Sequence, residues 1–271
     1  MTAPARLVAG IEAAGIEYVA VPSAAVQEAA ALAGLGGYGG LFGGLGAYLS
    51  PRERDASLRF KRPADRLDFP ASHALFRLLA ARRLGLPAAD AAGLDVRRIC
   101  AGCGATDHGK PSIEGVALSM SRSHGTVMAA AAPAGTSLGA DIERVPAQVF
   151  AGFDDFALTP EERSGPDGAG LTGSGPAGPG LTDAGRIRLW VAKEAALKAA
   201  GVGLAVDPSG VRLVPTGTGG TLRTECAGNP AVHGLLVTRV PAPDGYAAAI
   251  AAPGQLSTRA VSLAEIFATK S

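Results

Sequence analysis

A helix-rich stretch followed by a run of strands occurs twice along this chain, and that order restricts the fold more than any single motif. In the first pass, Ile16 to Val21 reads as a short β-branched and aromatic strand closed by Pro22. Ser50-Pro51 with Glu53 three positions after the Ser has the form of a helix start, with Ser at the N-cap and Pro at the first helical position. A longer helix is expected from about Asp65 to Arg83, buried through Leu75, Phe76, Leu78 and Leu79 and stopped at Gly85. Strands follow at 94–99, at Val116–Ser121 with Thr126–Ala132 as a hairpin, and at Thr136–Glu143. In the second pass, a helix is expected near 146–156 and a short one opening at Thr159-Pro160. The strongest helix runs from Ile187 to Ala200 and stops at Gly201. VRLV, HGLLVTRV and YAAAIAA then read as three strands. The pattern predicts an α+β protein of two similar halves, not a doubly wound parallel sheet. The division is expected near residue 115, giving 1–115, 116–255 and a tail at 256–271 that ends in a short helix. Two segments lack element signals: Gly-rich 33–48, read as irregular, and Gly/Pro/Ser-rich 164–185, read as a mobile loop.

Composition removes several function classes. At 47% hydrophobic and 18% charged, the 271-residue chain can build a sizeable core. A net charge of +1 gives no general attraction to nucleic acid or membrane, so any anion site must be built locally. No run of apolar residues is long enough for a membrane span, and the N-terminus does not read as a signal peptide. Three cysteines do not make a disulfide framework, so a reducing, cytoplasmic setting is expected.

Several clusters carry chemistry. Asp141 and Glu143 lie two apart at a strand end and face the same side. Such a pair repels unless a cation intervenes, and oxygen ligands without neighbouring Cys or His favour Mg²⁺ or Ca²⁺ over zinc; a solvated strand end is the plain alternative. On the last long helix Trp190, Glu194 and Lys198 share one stripe. Glu194 and Lys198 taken alone read as a surface ion pair. The single Trp of the chain on the same stripe suggests a partly buried polar site in which Glu194 has a raised pKa and serves as a base. Gly109-Lys110-Pro111 is a turn with Lys at its tip. Ser119, Ser121, Arg122, Ser123 and His124 end a strand with phosphate-binding groups. Arg52, Arg54, Arg59, Lys61, Arg62 and Arg66 form a basic cluster before the long N-terminal helix. Cys100 and Cys103, with His108 nearby, look like half a zinc knuckle, but a second CxxC is missing and Cys226 is remote.

Taken together, RFKRPADRLDFPASHALFRLLA (59–80), GKP (109–111), LSMSRS (118–123), LGADIE (138–143), LTPEE (158–162) and LWVAKEAALKAAGVGL (189–204) resemble the 4′-phosphopantetheinyl transferases of the large, surfactin type, over about residues 15–251. The resemblance implies a pseudo-twofold fold with coenzyme A, the substrate, held between the halves. It implies an acyl or peptidyl carrier protein as the second substrate and Mg²⁺ as cofactor, with Mn²⁺ left open. Relatives of this length work as monomers. Residue by residue, Asp141 and Glu143 would ligate the metal and Glu162 matches the third acidic position. Glu194 matches the general base, while Lys193 and Lys198 match pyrophosphate contacts. Lys198 also stands where the leaving 3′,5′-ADP would be protonated. Lys110 and Pro111 fall beside the nucleotide. Arg122, with Ser123 as matching neighbour, takes the position of the family's histidine, and His124 lies two residues late. Glu53 and Ala56 stand where lysines can occur, so Arg52, Arg54, Arg59 or Arg62 would have to compensate. The 164–185 segment lies where the family meets its carrier, which leaves the choice of carrier open. Two other readings compete: a Mg²⁺-dependent phosphohydrolase, and a coenzyme A-binding regulator without turnover.

Overall fold

A computed structural model describes residues 15–34, 40, 42–99, 104–106, 109–164, 181–217, 220–255 and 257–268. Cys100, Cys103, His108 and most of the 164–185 segment lie outside these residues. The strands are β1 (Ile16–Pro22), β2 (Arg97–Ile99), β3 (Lys110–Ser112), β4 (Val116–Ser123), β5 (Thr126–Pro133), β6 (Gly139–Arg144), β7 (Arg212–Pro215), β8 (Leu222–Glu225), β9 (Leu236–Val240), β10 (Tyr246–Ala252) and β11 (Thr258–Ala260). The helices are α1 (Ser23–Leu32), α2 (Pro51–Leu58), α3 (Pro63–Arg83), α4 (Phe153–Ala157), α5 (Pro160–Ser164), α6 (Asp183–Ala200) and α7 (Leu263–Phe267).

The strands form one sheet of order β11-β1-β5-β4, a second of order β6-β10-β9-β8-β7, and the small pair β2-β3. Apart from the parallel β1–β11 pair, the ladders are antiparallel. The order strand–helix–strand–strand recurs, as β1, α3, β4, β5 and as β6, α6, β9, β10. In both, the first strand pairs with the last and the last with the middle one.

β5 and β10 explain why two Ala-rich runs become strands. Val127, Ala129 and Ala131 of β5 join a core that includes Ala74, Leu75, Leu78 and Leu79 of α3. Their neighbours Met128, Ala130 and Ala132 pack with Ala248, Ile250 and Ala252 of β10. The remaining face of β10, through Ala247, Ala249 and Ala251, packs with Leu189, Val191, Ala192 and Ala196 of α6. Each strand is buried on both faces, so a continuous small-apolar run replaces the usual alternation. The layers therefore run α3, first sheet, second sheet, α6.

Sheet membership changes between Pro133 and Gly139, not near residue 115, because β4 and β5 pair back onto β1. The tail beyond residue 256 also returns to the first sheet through β11, and Ile266 of α7 is buried in its core. The helix expected over 146–156 is only α4, which starts after Gly152 in a left-handed conformation (φ 87°). At the end of the Gly-rich stretch Leu45 and Tyr48 are fully buried, as is Leu49 just beyond it, so that part is core. Ser50 and Glu53 form the expected capping box. Glu53 then turns inward to accept from His73 Nδ1 (2.9 Å) and Arg77 Nε (2.6 Å). Burial alone would raise its carboxyl, but the His73 hydrogen bond and the Arg77 charge hold it at about 2. It faces the core and not the solvent, where a lysine at this position would reach.

One glycine sets the distance between β6 and α6. A Cβ built on Gly139 would lie 1.8 Å from the Ala195 carbonyl oxygen and 2.4 Å from the Ala199 amide nitrogen. These are helix backbone atoms and cannot yield without moving α6. Gly139→Ala is expected to cost about 3 kcal/mol by overpacking and to lower the Tm by roughly 6–12 °C, measured by thermal unfolding.

Candidate active site

The two sheets meet along β4 and β6, and serine side chains make the junction. Ser119, Ser121 and Ser123 are two apart on β4 and so share a face. Ser119 Oγ accepts from Ala140 N–H (2.9 Å), and Ser123 Oγ accepts from Arg144 N–H (3.2 Å). Ser121 Oγ donates to Asp141 Oδ1 (2.7 Å), and Ser123 Oγ donates to Glu143 Oε2 (2.6 Å). Hydroxyls thus satisfy edge groups that a backbone ladder would otherwise pair. Ser123 Oγ also lies 2.8 Å from His124 Nδ1. Ser123 is therefore occupied in holding Glu143 and the seam.

α6 crosses this seam. Its start is capped by Thr182. Its end is a Schellman motif, in which Gly201 (φ 73°) donates to the Lys198 carbonyl and Val202 to the Leu197 carbonyl. The close approach at Gly139 brings Glu194 and Lys198 against Asp141. Lys198 does not pair with Glu194 along the helix; its Nζ reaches across to Asp141 Oδ1 (2.5 Å) and Ser121 Oγ (3.1 Å). Asp141, Glu143, Glu194 and Lys198 line a cavity of about 340 Å³ with Ser72, Met120, Ser121 and Arg122.

Negative charge exceeds its partners here. Asp141 is 2% exposed, and its Oδ2 has no hydrogen-bond partner; Glu194 Oε1 is buried without one too. Desolvation, with the charges of Asp141 and Glu143, pushes the Glu194 carboxyl up to about 7 despite Lys198. Glu143 is raised as well, by burial and by Asp141. Among the described residues, no three His, Cys, Asp or Glu side chains close into a ready metal site. The orphaned oxygens and the all-oxygen donor set nevertheless fit a hard dication, on which the carboxylates would have to close.

A larger cleft of about 620 Å³ adjoins this cavity, sharing Met120 and Lys198 with it. Gly109, Lys110 and Pro111 form one wall, and Gly201, Val202, Gly203, Ala205 and Val206 form another. Lys110 Nζ donates to the Leu138 carbonyl (2.6 Å), and desolvation lowers its pKa. Arg122 lines the acidic cavity with its guanidinium over the Phe69 ring (5.3 Å) and the Phe60 ring (6.0 Å). His124 is instead in the β4–β5 turn, at φ 47° beside Gly125 at φ 86°, the signs of a type I′ hairpin. Its carbonyl accepts from Tyr246 Oη (2.6 Å). Of the two residues weighed for the family's histidine position, Arg122 faces the cavity. Arg59 and Arg62 are exposed where α2 meets α3, and neither lines these two clefts.

Three expectations are corrected by the geometry. Glu162, the expected third metal ligand, is buried elsewhere. Its Oε2 accepts from Lys193 Nζ (2.6 Å) and Thr159 N–H (2.9 Å), and its Oε1 from Leu213 N–H (3.3 Å). Lys193, the expected pyrophosphate contact, is 0% exposed and also donates to the carbonyls of Ala157 (2.7 Å) and Pro208 (3.1 Å). All three of its donors are used, so this pair locks α6 to α4, α5 and β7. Trp190 is not beside Glu194 in the cavity; it packs on Phe156 (5.3 Å) and Phe153 (6.3 Å) of α4. Ser72 and Met120 line the cavity without any chemical signal that singles them out.

The family model described as ACPS, the 4′-phosphopantetheinyl transferase superfamily, matches residues 137–251, from the start of β6 to β10. No curated protein matches the chain. Asp141 and Glu143 at one end of that match, and Glu194 and Lys198 on the helix it contains, are the residues that converge on the cavity. Over residues 137–251, the chain is similar to the 4′-phosphopantetheinyl transferase superfamily.

Proposed function

We propose that this chain transfers the 4′-phosphopantetheine arm of coenzyme A to a serine hydroxyl of an acyl or peptidyl carrier protein and releases 3′,5′-ADP, acting as a monomeric cytoplasmic enzyme. The observation that carries this reading is the surplus of buried carboxylate oxygen in the Asp141–Glu143–Glu194 cavity, opening onto a cleft walled by Lys110 and Pro111. The repeated strand order supports two halves about a pseudo-twofold, with the donor between them.

In the reaction the serine oxygen bonds to the β-phosphorus of coenzyme A, and the bridging bond from that phosphorus to the α-phosphate oxygen breaks. Asp141 and Glu143 would hold Mg²⁺ or Mn²⁺, which supplies positive charge against the pyrophosphate. Glu194 takes the serine proton; burial raises its carboxyl toward the range suited to that task. Lys198 meets the departing phosphate. Arg122, held over two aromatic rings and lining the same cavity, adds a phosphate-binding guanidinium.

A second role for Glu194 has an observation in its favour. Asp141 and Glu143 both raise its carboxyl, so a cation among the three would relieve all of them. Two measurements separate the roles. A base must be ionised, so kcat/KM should fall about tenfold per pH unit below the pKa of Glu194 in the cation-loaded enzyme, and Glu194→Gln should leave Mn²⁺ affinity intact. If Glu194 is the third ligand instead, Glu194→Gln loses Mn²⁺ binding along with activity. A flat profile with unchanged Mn²⁺ binding would remove both roles.

A further inference from the structure

The lysine that contacts Asp141 stands where positive charge is most needed, and it also borders the neighbouring cleft. Lys198 Nζ lies 2.5 Å from Asp141 Oδ1 and 3.1 Å from Ser121 Oγ, inside the cavity that Glu143 and Glu194 share. A single ammonium does not serve these carboxylates fully, because Asp141 Oδ2 and Glu194 Oε1 stay buried and unpartnered. Arg122 is turned to the Phe69 and Phe60 rings and makes no ion pair with the cluster among the described residues. With Met120, Lys198 is common to the acidic cavity and the larger cleft beside it. Its flexible four-carbon stem can carry the charge from one to the other.

We propose that Lys198 is an internal counter-ion of Asp141 that competes with the cation for this carboxylate, and that cation binding drives its ammonium into the adjoining cleft to meet the anionic donor. The inference rests on the cation-dependent reading of the site given above. Two positive charges cannot share Asp141 at such separations without strong repulsion, and the dication satisfies oxygens that the lysine leaves bare. The same event that loads the metal thus delivers the phosphate-binding lysine.

The test uses nucleotide-free protein and Mg²⁺ alone. Calorimetric titration of wild type, Lys198→Gln and Lys198→Arg should show Lys198→Gln binding Mg²⁺ on the order of tenfold more tightly, the size of an ordinary coupling between sites. Lys198→Arg, which keeps the competing charge, should stay near wild type. In parallel, the ¹⁵Nζ signal of Lys198 in wild type, assigned by its absence from Lys198→Arg, should be protected from exchange without metal and lose that protection at Mg²⁺ saturation. This arm does not depend on Lys198→Gln folding. A signal unchanged at saturation, or Lys198→Gln binding no tighter, overturns the inference while the cation site stands. No Mg²⁺ binding to any of the proteins overturns both.

Discussion

Glu194→Gln should lower transfer by about 10²–10⁴-fold while leaving the fold intact. The side chain keeps its size, and no hydrogen bond to its buried Oε1 is lost, because none exists. The stability effect has a definite sign. The Glu194 carboxyl is raised to about 7 from 4.5, so the folded state binds a proton more tightly than the unfolded chain does. Its favourable contribution is complete below about 4.5 and is lost as pH rises through about 7. Above that pH the ionised group opposes folding in metal-free protein, and Gln removes the opposition. Thermal unfolding with chelator above pH 7 should therefore give the variant a Tm equal to or above that of wild type, beside its near-complete loss of activity. Retained activity, or a variant that unfolds at lower temperature, would contradict this placement of Glu194.

Lys193→Met should do the reverse. Lys193 and Glu162 are buried together, with side chains 0% and 2% exposed, and each is the other's charged partner. Removing the lysine leaves a carboxylate in the core with only the Thr159 and Leu213 amides; the Ala157 carbonyl loses the lysine donor, and the Pro208 carbonyl keeps only Val211 N–H. Breaking a buried pair in this way costs about 3–5 kcal/mol, a fall in Tm of roughly 6–20 °C for a chain of this size. If Lys193 acts only through the fold, the protein that remains folded at low temperature should keep the wild-type KM for coenzyme A. A raised KM with unchanged Tm would return Lys193 to the pyrophosphate.

The contrast between these two neighbours in the helix marks what the sequence could and could not supply. Helix α6, its Gly201 stop and the hairpin of β4 and β5 follow from local signals, because apolar spacing, glycine and turn chemistry act within a few residues. Asp141 and Glu143 were legible as a pair facing one side, since alternation along a strand is geometric. Glu162 carried a local signal that points away from the metal: Thr159, Pro160 and Glu162 form a capping box, and the structure has both of its bonds. Its partner Lys193, however, is 31 residues on, and no local rule joins them. Trp190 shows the same limit. A helical stripe gives the angle at which a side chain leaves the axis, not what covers it, and here α4 covers the ring.

The serine stripe of β4 was visible as hydroxyls at every second position, but not the seam it makes with β6. That seam depends on two edge strands from different sheets meeting, a long-range event. For the same reason a hairpin at 116–133 could be recognised without revealing that it pairs back to β1, which moves the change of sheet past residue 133. The closeness of α6 to β6 rests on Gly139, whose missing Cβ leaves no trace in hydrophobic periodicity.

Intact mass spectrometry of apo carrier proteins, incubated with this protein, coenzyme A and Mg²⁺, tests the central claim most directly. The account predicts a gain of roughly 340 Da on a carrier serine, the mass of one transferred arm, absent with chelator and absent with Glu194→Gln. Coenzyme A binding without any mass gain across acyl and peptidyl carriers would contradict it.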